Sequence, residues 1–135
     1  MRFRAGEDGI VDRLTGLCWQ RGANLAEGEL NWEQALAGIA ALNSSGGPGN
    51  WRLPNINELE TLVDCSRARP ALAAAADVVA SPGTVYWSST TSMYEPDWAW
   101  ALYLEKGAVG VGHKQQARFS AWAVRTAAED TGGVL

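Results

Sequence analysis

One stretch decides the fold of this chain: it runs WRLPNINELETLVD from residue 51 to residue 64. Pro54 disfavours the helical conformation for the residue before it, so the chain is expected to be extended where it enters the proline. Trp51 and Leu53 lie two residues apart, which places their side chains on one face of an extended segment. The first half of the stretch therefore predicts a strand end with one buried face.

The second half of the stretch predicts a helix over residues 56–64. Asn55 is a favourable N-cap, and Glu58 follows three residues later, where a capping box places its acid. One helical face carries the apolar residues Ile56, Leu59, Leu62 and Val63. The whole stretch therefore fixes the angle between a helix and an extended segment that share an apolar core.

The composition indicates one folded domain and argues against several classes of protein. The chain has 135 residues, of which 47% are hydrophobic and 19% charged, so it can bury a core and is too apolar to be disordered. The net charge is −4 without a basic run, which argues against nucleic acid or an anionic membrane as the main partner. No apolar run approaches the roughly 20 residues that span a bilayer, and no signal peptide is recognised. Cys18 and Cys65 permit one disulfide, although a buried thiol is the simpler interpretation of Cys18.

The N-terminal half is predicted to hold a hairpin and then a helix. Residues 10–20 contain two short apolar runs, with Gly16 in the left-handed position of the turn between them. Asn31 begins a second capping box, and the apolar stripe after it predicts a helix over 32–43. Residues 1–9 are polar and are expected to fray or to form a sheet edge.

Strand signals dominate the C-terminal half. Residues 85–91 are aromatic and β-branched, and residues 98–104 alternate, with one face carrying Trp98, Trp100, Leu102 and Leu104. A hairpin turn and a further strand are predicted over 105–111, and a last strand over 119–126. Before these strands, the alanine-rich residues 70–76 favour a short helix by propensity alone.

This order of elements predicts an α+β domain in which two helices pack on a twisted antiparallel sheet with long loops. The sequence contains no internal repeat and no linker that would divide the chain. We therefore expect one domain over residues 10–126, an N-terminal extension at 1–9 and a C-terminal tail at 127–135.

The sequence offers little for catalysis or metal binding. His113 is the only histidine, and no nucleophile or metalloprotease motif surrounds it, so a solvated loop histidine is the favoured interpretation. One histidine and two cysteines without a Cys-x-x-Cys spacing fall short of a zinc set, and the acids Glu95 and Asp97 lack an Asp-rich calcium pattern. An enzyme would need a pocket joining His113 to an acid or to Cys65. We expect no catalytic residue, no metal and no cofactor.

Aromatic and polar residues gather on the late loops, as they do at sites that bind sugars or peptides. Rings stack on apolar ligand faces, and polar side chains fix the orientation of the ligand. Trp98 and Trp100 share a strand face with Leu102, which favours a core position for both over a binding surface. The candidate ligand-binding residues are Tyr94, Glu95, Asp97, Tyr103, His113, Lys114, Gln116 and Arg118.

Five blocks of the sequence, taken in order, resemble one known family. They are Asp12-x-x-Thr15-Gly16-Leu17-x-Trp19-Gln20, Leu30-x-Trp32-x-x-Ala35-Leu36, the stretch at 51–64, Tyr86-Trp87-Ser88-Ser89-Thr90 and Val124-Arg125-Thr126. Together they span about residues 10 to 126 and resemble the domain of unknown function DUF1566, also called the C-terminal domain of the Legionella collagen-like adhesin.

This resemblance implies a fold related to C-type lectins and to the formylglycine-generating enzyme. Members are usually non-catalytic and are often appended to exported bacterial proteins, and the adhesin's domain is a trimer that binds sulfated glycosaminoglycans. Some proteins of the wider fold present variable loops, including targets of diversity-generating retroelements. At a net charge of −4 with few clustered bases, this chain is poorly suited to a polyanion. The strand-end residues Arg52 and Arg125 are interpreted as partners of acids such as Asp64 or Glu58 rather than as ligand contacts.

Together, residues and resemblance predict a non-catalytic recognition or adhesion module of an exported bacterial or phage-related protein. It would hold a glycan or a protein through loops near residues 91–98 and 112–119, in an extracellular or periplasmic location. Two alternatives remain: an oligomerisation domain of a surface protein, with the loops making subunit contacts as in a trimer, and a variable protein of a diversity-generating retroelement. Neither nucleic acid nor membrane insertion is expected.

Overall fold

The computed structural model describes residues 3–6, 9–20, 29–63, 85–103 and 107–127. In this part of the chain the elements are β1 (Phe3–Ala5), β2 (Ile10–Asp12), β3 (Leu17–Trp19), α1 (Trp32–Ser44), α2 (Ile56–Glu60), β4 (Val85–Thr91), β5 (Trp98–Tyr103), β6 (Ala108–His113) and β7 (Val124–Thr126). The α+β class is confirmed, but the strands form two antiparallel sheets instead of one. Predictions that concern Asp64, Cys65, residues 70–76, residues 105–106 and the tail beyond Ala127 lie outside the described residues.

The first sheet, in the order β1-β2-β3-β7, joins the N-terminal and C-terminal parts of the described chain. The predicted hairpin is confirmed, because β2 and β3 pair antiparallel and Gly16 has a φ of 76° in the turn between them. β1 pairs with the other side of β2, so the N-terminal residues form the sheet edge that was one of the two expectations. Beyond β7, the backbones of Arg52 and Val124 exchange two hydrogen bonds of 2.8 and 2.9 Å. The stretch at 51–64 therefore enters the fold as an extension of this sheet.

The last strand is shorter than predicted. Of residues 119–126, only those in β7 form a strand; Phe119 makes an isolated bridge to Leu30, and Ser120 makes one to β4. The chain crosses here from the second sheet to the first, and the buried residues 121–123 span the gap. The apolar run in the sequence reflects this burial between two sheets, and burial alone does not distinguish it from a strand.

Helix α1 begins where the sequence predicts and ends one residue later than the predicted 43. The Asn31 side chain accepts a hydrogen bond of 2.7 Å from the Gln34 N–H, and the Gln34 side chain accepts one of 2.9 Å from the Asn31 N–H. At the other end of the helix, the Asn43 amide donates to the Trp51 carbonyl and accepts from the Trp51 N–H, at 2.9 and 2.8 Å. The end of α1 thereby holds the start of the stretch at 51–64.

The predicted capping box at Asn55 and Glu58 is confirmed, but α2 ends at Glu60 and does not reach residue 64. The Thr61 hydroxyl donates to the Glu58 carbonyl at 2.6 Å, and the N–H groups of residues 61–63 bond three residues back. These bonds tighten the chain into the 3₁₀-type turn that often ends a helix. Leu59 and Leu62 remain fully buried, so the predicted apolar face is present on the shortened element.

Strand β4 holds the Pro54 turn from the opposite side. Its register is interrupted between Trp87 and Thr91, and this bulge turns two groups towards the stretch at 51–64. The Ser89 N–H donates to the Pro54 carbonyl at 2.8 Å, and the Thr90 hydroxyl accepts from the N–H of Ile56 at 3.0 Å. Two of the five sequence blocks are therefore joined by one backbone hydrogen bond and one bond to a side-chain hydroxyl.

The second sheet, in the order β4-β5-β6, buries the small-residue face of β5. Ala99 and Ala101 are fully buried, whereas Trp98 and Trp100 are only partly so, which makes the predicted core position wrong for both indoles. The two alanines belong to an apolar cluster that also contains the large rings of Trp87, on the neighbouring strand β4, and of Phe119. No helix of the described ranges is both long and apolar enough to cross a membrane.

Candidate functional site

Three segments that are distant in sequence meet beyond one end of the second sheet. The last residue pair of the β5–β6 ladder is Trp98 with His113, and the chain leaves the ladder on both sides of that pair. The Lys114 N–H donates to the Asp97 carbonyl at 2.8 Å, and the Lys114 carbonyl accepts from the Trp32 N–H at 2.9 Å. We call the residues 31–33, 91–97 and 113–118 the loop cluster.

The β4–β5 loop is a closed turn that projects an aromatic residue. The Ser92 N–H donates to the Trp98 carbonyl at 2.8 Å, and the Trp98 N–H donates to the Glu95 carbonyl at 2.9 Å. Between these bonds, Met93 and Tyr94 are strongly exposed, with Tyr94 at 88%. An exposed tyrosine on a closed turn offers a ring and a hydroxyl to a ligand at a low cost in conformational entropy.

Lys114 is the centre of the loop cluster. Its ammonium donates to the Thr91 hydroxyl at 2.9 Å and lies 4.0 Å from the centroid of the Trp32 ring. The Trp32 ring is itself fixed, because its indole N–H donates to the Ser88 carbonyl at 2.9 Å. A cation over an indole face gains about 0.5–2 kcal/mol. Lys114 therefore ties the loop after β6 to β4 and to the start of α1 through both its backbone and its side chain.

A small polar pocket of about 170 Å³ opens at this junction, and its lining residues are Asn31, Glu33, Asp97, Lys114 and Gln115. It is smaller than the roughly 300–1,000 Å³ of pockets that enclose drug-sized ligands. Two carboxylates, two amides and one ammonium provide donors and acceptors for hydroxyl, amide or amine groups. The pocket therefore has the size and chemistry to hold one sugar ring or one side chain of a larger ligand.

His113 ends a strand and is half-buried, so the prediction of a solvated loop histidine is wrong. Its ring meets the Trp98 ring edge-on, with centroids 5.2 Å apart. Its Nδ1 accepts from the Gln115 N–H at 3.2 Å. In the described part of the chain, no carboxylate forms an ion pair with this imidazole. The histidine side chain therefore stabilises the turn that follows β6 and carries Lys114.

The structure brings together most of the candidates taken from the sequence. Those in the loop cluster are Tyr94, Glu95, Asp97, His113, Lys114, Gln116 and Arg118, and of these Glu95, Asp97, Gln116 and Arg118 are exposed. Tyr103 is the exception, because it lies at the other end of β5, roughly 16 Å from Trp98 at the usual rise per residue. Its ring packs edge-on against Phe119, with centroids 5.8 Å apart, so the structure places it outside the loop cluster.

Sequence reasoning missed the contribution of α1 to the site. Asn31 and Glu33 line the pocket, and Trp32 carries the Lys114 ammonium. Asn31 was recognised only as a helix cap, and its proximity to Lys114 depends on a long-range backbone contact that no local pattern encodes. Among the residues that the structure describes, no group of three or more His, Cys, Asp or Glu is placed to hold a metal ion.

The strand-end arginines lie apart from the loop cluster and have structural partners. Arg52 binds Glu58 through two hydrogen bonds of 2.6 and 2.7 Å, as the sequence led us to expect. These bonds lower the pKa of Glu58, against the opposing effect of burial, and the hydrogen bond from the Asn55 N–H lowers it further. The same bonds raise the pKa of Arg52. Arg125 instead donates to the Gly49 carbonyl at 3.0 Å, and its guanidinium lies 5.8 Å from the centroid of the Trp51 ring.

Comparison with known proteins assigns the chain to a family. None of the curated proteins compared with the chain is similar to it. The family model of the Lcl C-terminal domain matches residues 8–125. This match covers the chain from β2 to Arg125 in β7, including the stretch at 51–64 and the whole loop cluster, in agreement with the resemblance of the five sequence blocks. The chain belongs to the Lcl C-terminal domain family.

Proposed function

We propose that this domain is a non-catalytic recognition module of an exported bacterial or phage-related protein, with a C-type-lectin-like fold, and that it holds a glycan or a protein surface at the loop cluster. Family membership supports the adhesion-related role and the extracellular or periplasmic location, because the family takes its name from a collagen-like adhesin. The α+β architecture with two antiparallel sheets is compatible with the lectin-like description.

One observation carries the proposal: Lys114 joins two loops and the start of α1 around a small pocket, and one of these loops also carries the exposed Tyr94. The frame of the site consists mostly of backbone hydrogen bonds, with the Lys114 ammonium as a further tie, so it is formed without a ligand. Preformed sites lose less conformational entropy on binding. The pocket supplies polar contacts, and Tyr94 supplies a ring for the apolar face of a sugar or for a side chain of a protein partner.

The surroundings of His113 support a binding role over a catalytic one. General acid–base catalysis needs a group within hydrogen-bond reach of the reacting atoms, usually oriented by a second polar group. Here the imidazole packs against Trp98, and its Nδ1 already accepts a backbone hydrogen bond. The side chains that remain available in the pocket are those of ligand recognition: carboxylates, amides and an ammonium.

The test is a binding screen of the purified domain on an array of neutral, acidic and sulfated glycans and on an array of bacterial and host surface proteins. We expect Lys114→Met, Asp97→Asn and Tyr94→Ala each to weaken the binding of a hit about tenfold or more, which is about 1.4 kcal/mol. Tyr103→Phe and Leu14→Ala are the matched controls, since Tyr103 lies outside the loop cluster and Leu14 is exposed on the hairpin of the other sheet.

Two results would refute the proposal. One is a hit whose affinity is unchanged by all three variants of the loop cluster. The other is a hit that is lost equally in Tyr103→Phe, because this would place recognition elsewhere on the domain. Far-UV circular dichroism of every variant separates loss of binding from loss of folding.

A further inference from the structure

The turn after β6 is closed by two hydrogen bonds to a single residue, His113. The Gln116 N–H donates to the His113 carbonyl at 3.0 Å, and the Gln115 N–H donates to Nδ1 of the His113 ring at 3.2 Å. The first bond joins two backbone groups, which do not titrate. The second bond ends on a titratable side chain, so its presence depends on the charge of the imidazole.

The direction of the second bond fixes where the ring carries its proton. A backbone N–H can only donate, so Nδ1 is unprotonated in this arrangement and the ring proton lies on Nε2. Protonation of Nδ1 turns the acceptor into a donor, and two donors then face each other across the turn. Solvent reaches this turn, because His113 is half-buried and Gln115 is exposed. The bond to Gln115 is therefore made in the neutral state of the imidazole and broken in its protonated state.

The position of the ring prevents a simple escape from this conflict. The ring packs edge-on against Trp98, with centroids 5.2 Å apart, and the two residues are partners in the β5–β6 ladder. Rotation of the imidazole away from Gln115 gives up this contact, and reversal of the ring places a carbon where Nδ1 now lies. In either case the Gln115 N–H loses its acceptor.

The charged groups of the surrounding elements leave the imidazole without an ion pair in the described ranges. They are Lys114 and Arg118 on its own loop, Glu95 and Asp97 on the β4–β5 loop, Glu33 at the start of α1, and Glu58 and Glu60 on α2, which packs against β5. Glu58 is bound to Arg52, the Lys114 ammonium is bound to Thr91, and the other five residues are exposed. The state of the ring is therefore set by the pH and by the bond to Gln115.

We infer that His113 is a pH-sensitive switch in the loop cluster: the neutral imidazole holds Gln115 in the wall of the pocket, and the imidazolium releases it. Gln115 lines the pocket together with Asp97 and Lys114. The release is local, because the backbone of Lys114 remains bonded to the Asp97 carbonyl and to the Trp32 N–H. Histidine ordinarily changes charge between about pH 5 and 8. A loss of recognition on acidification rests on the proposed function, whereas the release of Gln115 does not.

Nuclear magnetic resonance of the full chain between about pH 5 and 8, without a ligand, tests this inference. The ¹⁵N shifts of the His113 ring should place the proton on Nε2 at the high-pH end. The amide signal of Gln115 should titrate with the same midpoint as the ring, whereas those of Lys114 and Gln116 should move much less. Protection of the Gln115 N–H from solvent exchange, corrected for the intrinsic effect of pH, should fall about two- to tenfold on protonation, as for one ordinary hydrogen bond.

Two variants separate the acceptor from the ring. His113→Asn keeps an acceptor that is able to bond the N–H two residues on and does not titrate in this range, so protection of Gln115 should stay high at every pH. His113→Phe keeps a ring for Trp98 but has no acceptor, so protection of Gln115 should be low at every pH.

Three outcomes would overturn the inference. They are a ring proton on Nδ1 at the high-pH end, a Gln115 amide signal that does not follow the ring, and a loss of protection on acidification that persists in His113→Asn. The first two are measured on the wild type, so the test stands even where a variant does not fold. Because no glycan or protein ligand is present, a negative result leaves the proposed recognition function unaffected, and a failed binding screen leaves the switch unaffected.

Discussion

Replacing Glu58 by glutamine tests how the stretch at 51–64 is held together. Glu58 accepts two hydrogen bonds from the Arg52 guanidinium and one of 2.9 Å from the Asn55 N–H. Glutamine can still accept from the Asn55 N–H, so the capping box is kept. What is lost is the charge and one of the two acceptors facing the guanidinium. The variant therefore isolates the ion pair that joins the extended segment to α2.

The magnitude follows from the geometry and exposure of the pair. Hydrogen bonds to charged groups contribute about 1.5–3 kcal/mol each when well formed, whereas exposed ion pairs contribute about 0.2–1 kcal/mol. The Glu58 side chain is 17% exposed and the Arg52 side chain 42%, so solvent screens one partner only. We therefore expect Glu58→Gln to lower the free energy of unfolding by about 1–2 kcal/mol at pH 7. For a chain of this length, that corresponds to a fall in Tm of roughly 3–10 °C.

The pH dependence gives a second signature. The folded-state pKa of Glu58 lies below its unfolded value of about 4.3, so the stabilisation is fully present above that pH and is lost as pH falls through the folded pKa. The difference in stability between wild type and Glu58→Gln should therefore be largest at neutral pH and shrink below about pH 4. Urea unfolding at a series of pH values measures it, with Glu60→Gln as the control, since Glu60 is exposed on the same helix.

Two results would refute this reasoning. The first is a loss in Glu58→Gln no larger than that in Glu60→Gln. The second is a loss that stays constant from neutral pH to about pH 2.5, since this would show that the carboxylate charge is not the source.

Two further predictions concern other contacts of the frame. Gly112→Ala should lower the free energy of unfolding in urea by about 1–3 kcal/mol, because its Cβ would overlap the buried Phe119 ring, and a loss below about 0.5 kcal/mol would contradict that packing. Asn43→Ala should cost about 1–3 kcal/mol, because it removes both hydrogen bonds to the Trp51 backbone. Asn43→Asp keeps the acceptor and should cost less than Asn43→Ala in the same assay; the reverse order would show that the donated bond dominates.

Local signals in the sequence were sufficient for the helix starts and for the hairpin. Asn31 and Asn55 each begin a capping box because the bonds involved span only three residues. Gly16 takes the left-handed conformation for the same reason, since its turn is closed within the hairpin. Such features depend on neighbours in the chain, and the pattern of residue types is enough to specify them.

The division into two sheets could not be predicted, because it depends on contacts distant in the sequence. Residues 121–124 form a continuous apolar run, and nothing in residues 119–126 marks where the chain leaves β4 and joins β3. On β5 the predicted core face is fully buried only at Leu102, for a related reason. Hydrophobicity alone favours the face with Trp98, but the alanine face is buried because rings from other segments fill the space above it.

The candidate site was predicted in part, and the part that was missed is informative. The late loops were identified by their residue types, and the structure brings them together at Lys114 and Asp97. Tyr103 was included because it is aromatic and polar, yet it packs on Phe119 away from the loops. Residue type indicates what a side chain is able to bind, whereas strand register decides which side chains share a site.

The frame of the loop cluster is made mostly of backbone groups, and this has a consequence for recognition. The positions of Asp97 and Lys114 are fixed by main-chain hydrogen bonds, and three indole N–H groups, from Trp32, Trp87 and Trp122, donate to backbone carbonyls of other segments. Side chains at the exposed positions of the β4–β5 loop contribute little to these bonds. If the proposed recognition function holds, substitutions there change what is bound without moving the frame, whereas changes to the tryptophans move it. A frame held by main-chain hydrogen bonds therefore allows the exposed side chains at one end to vary while the fold is kept.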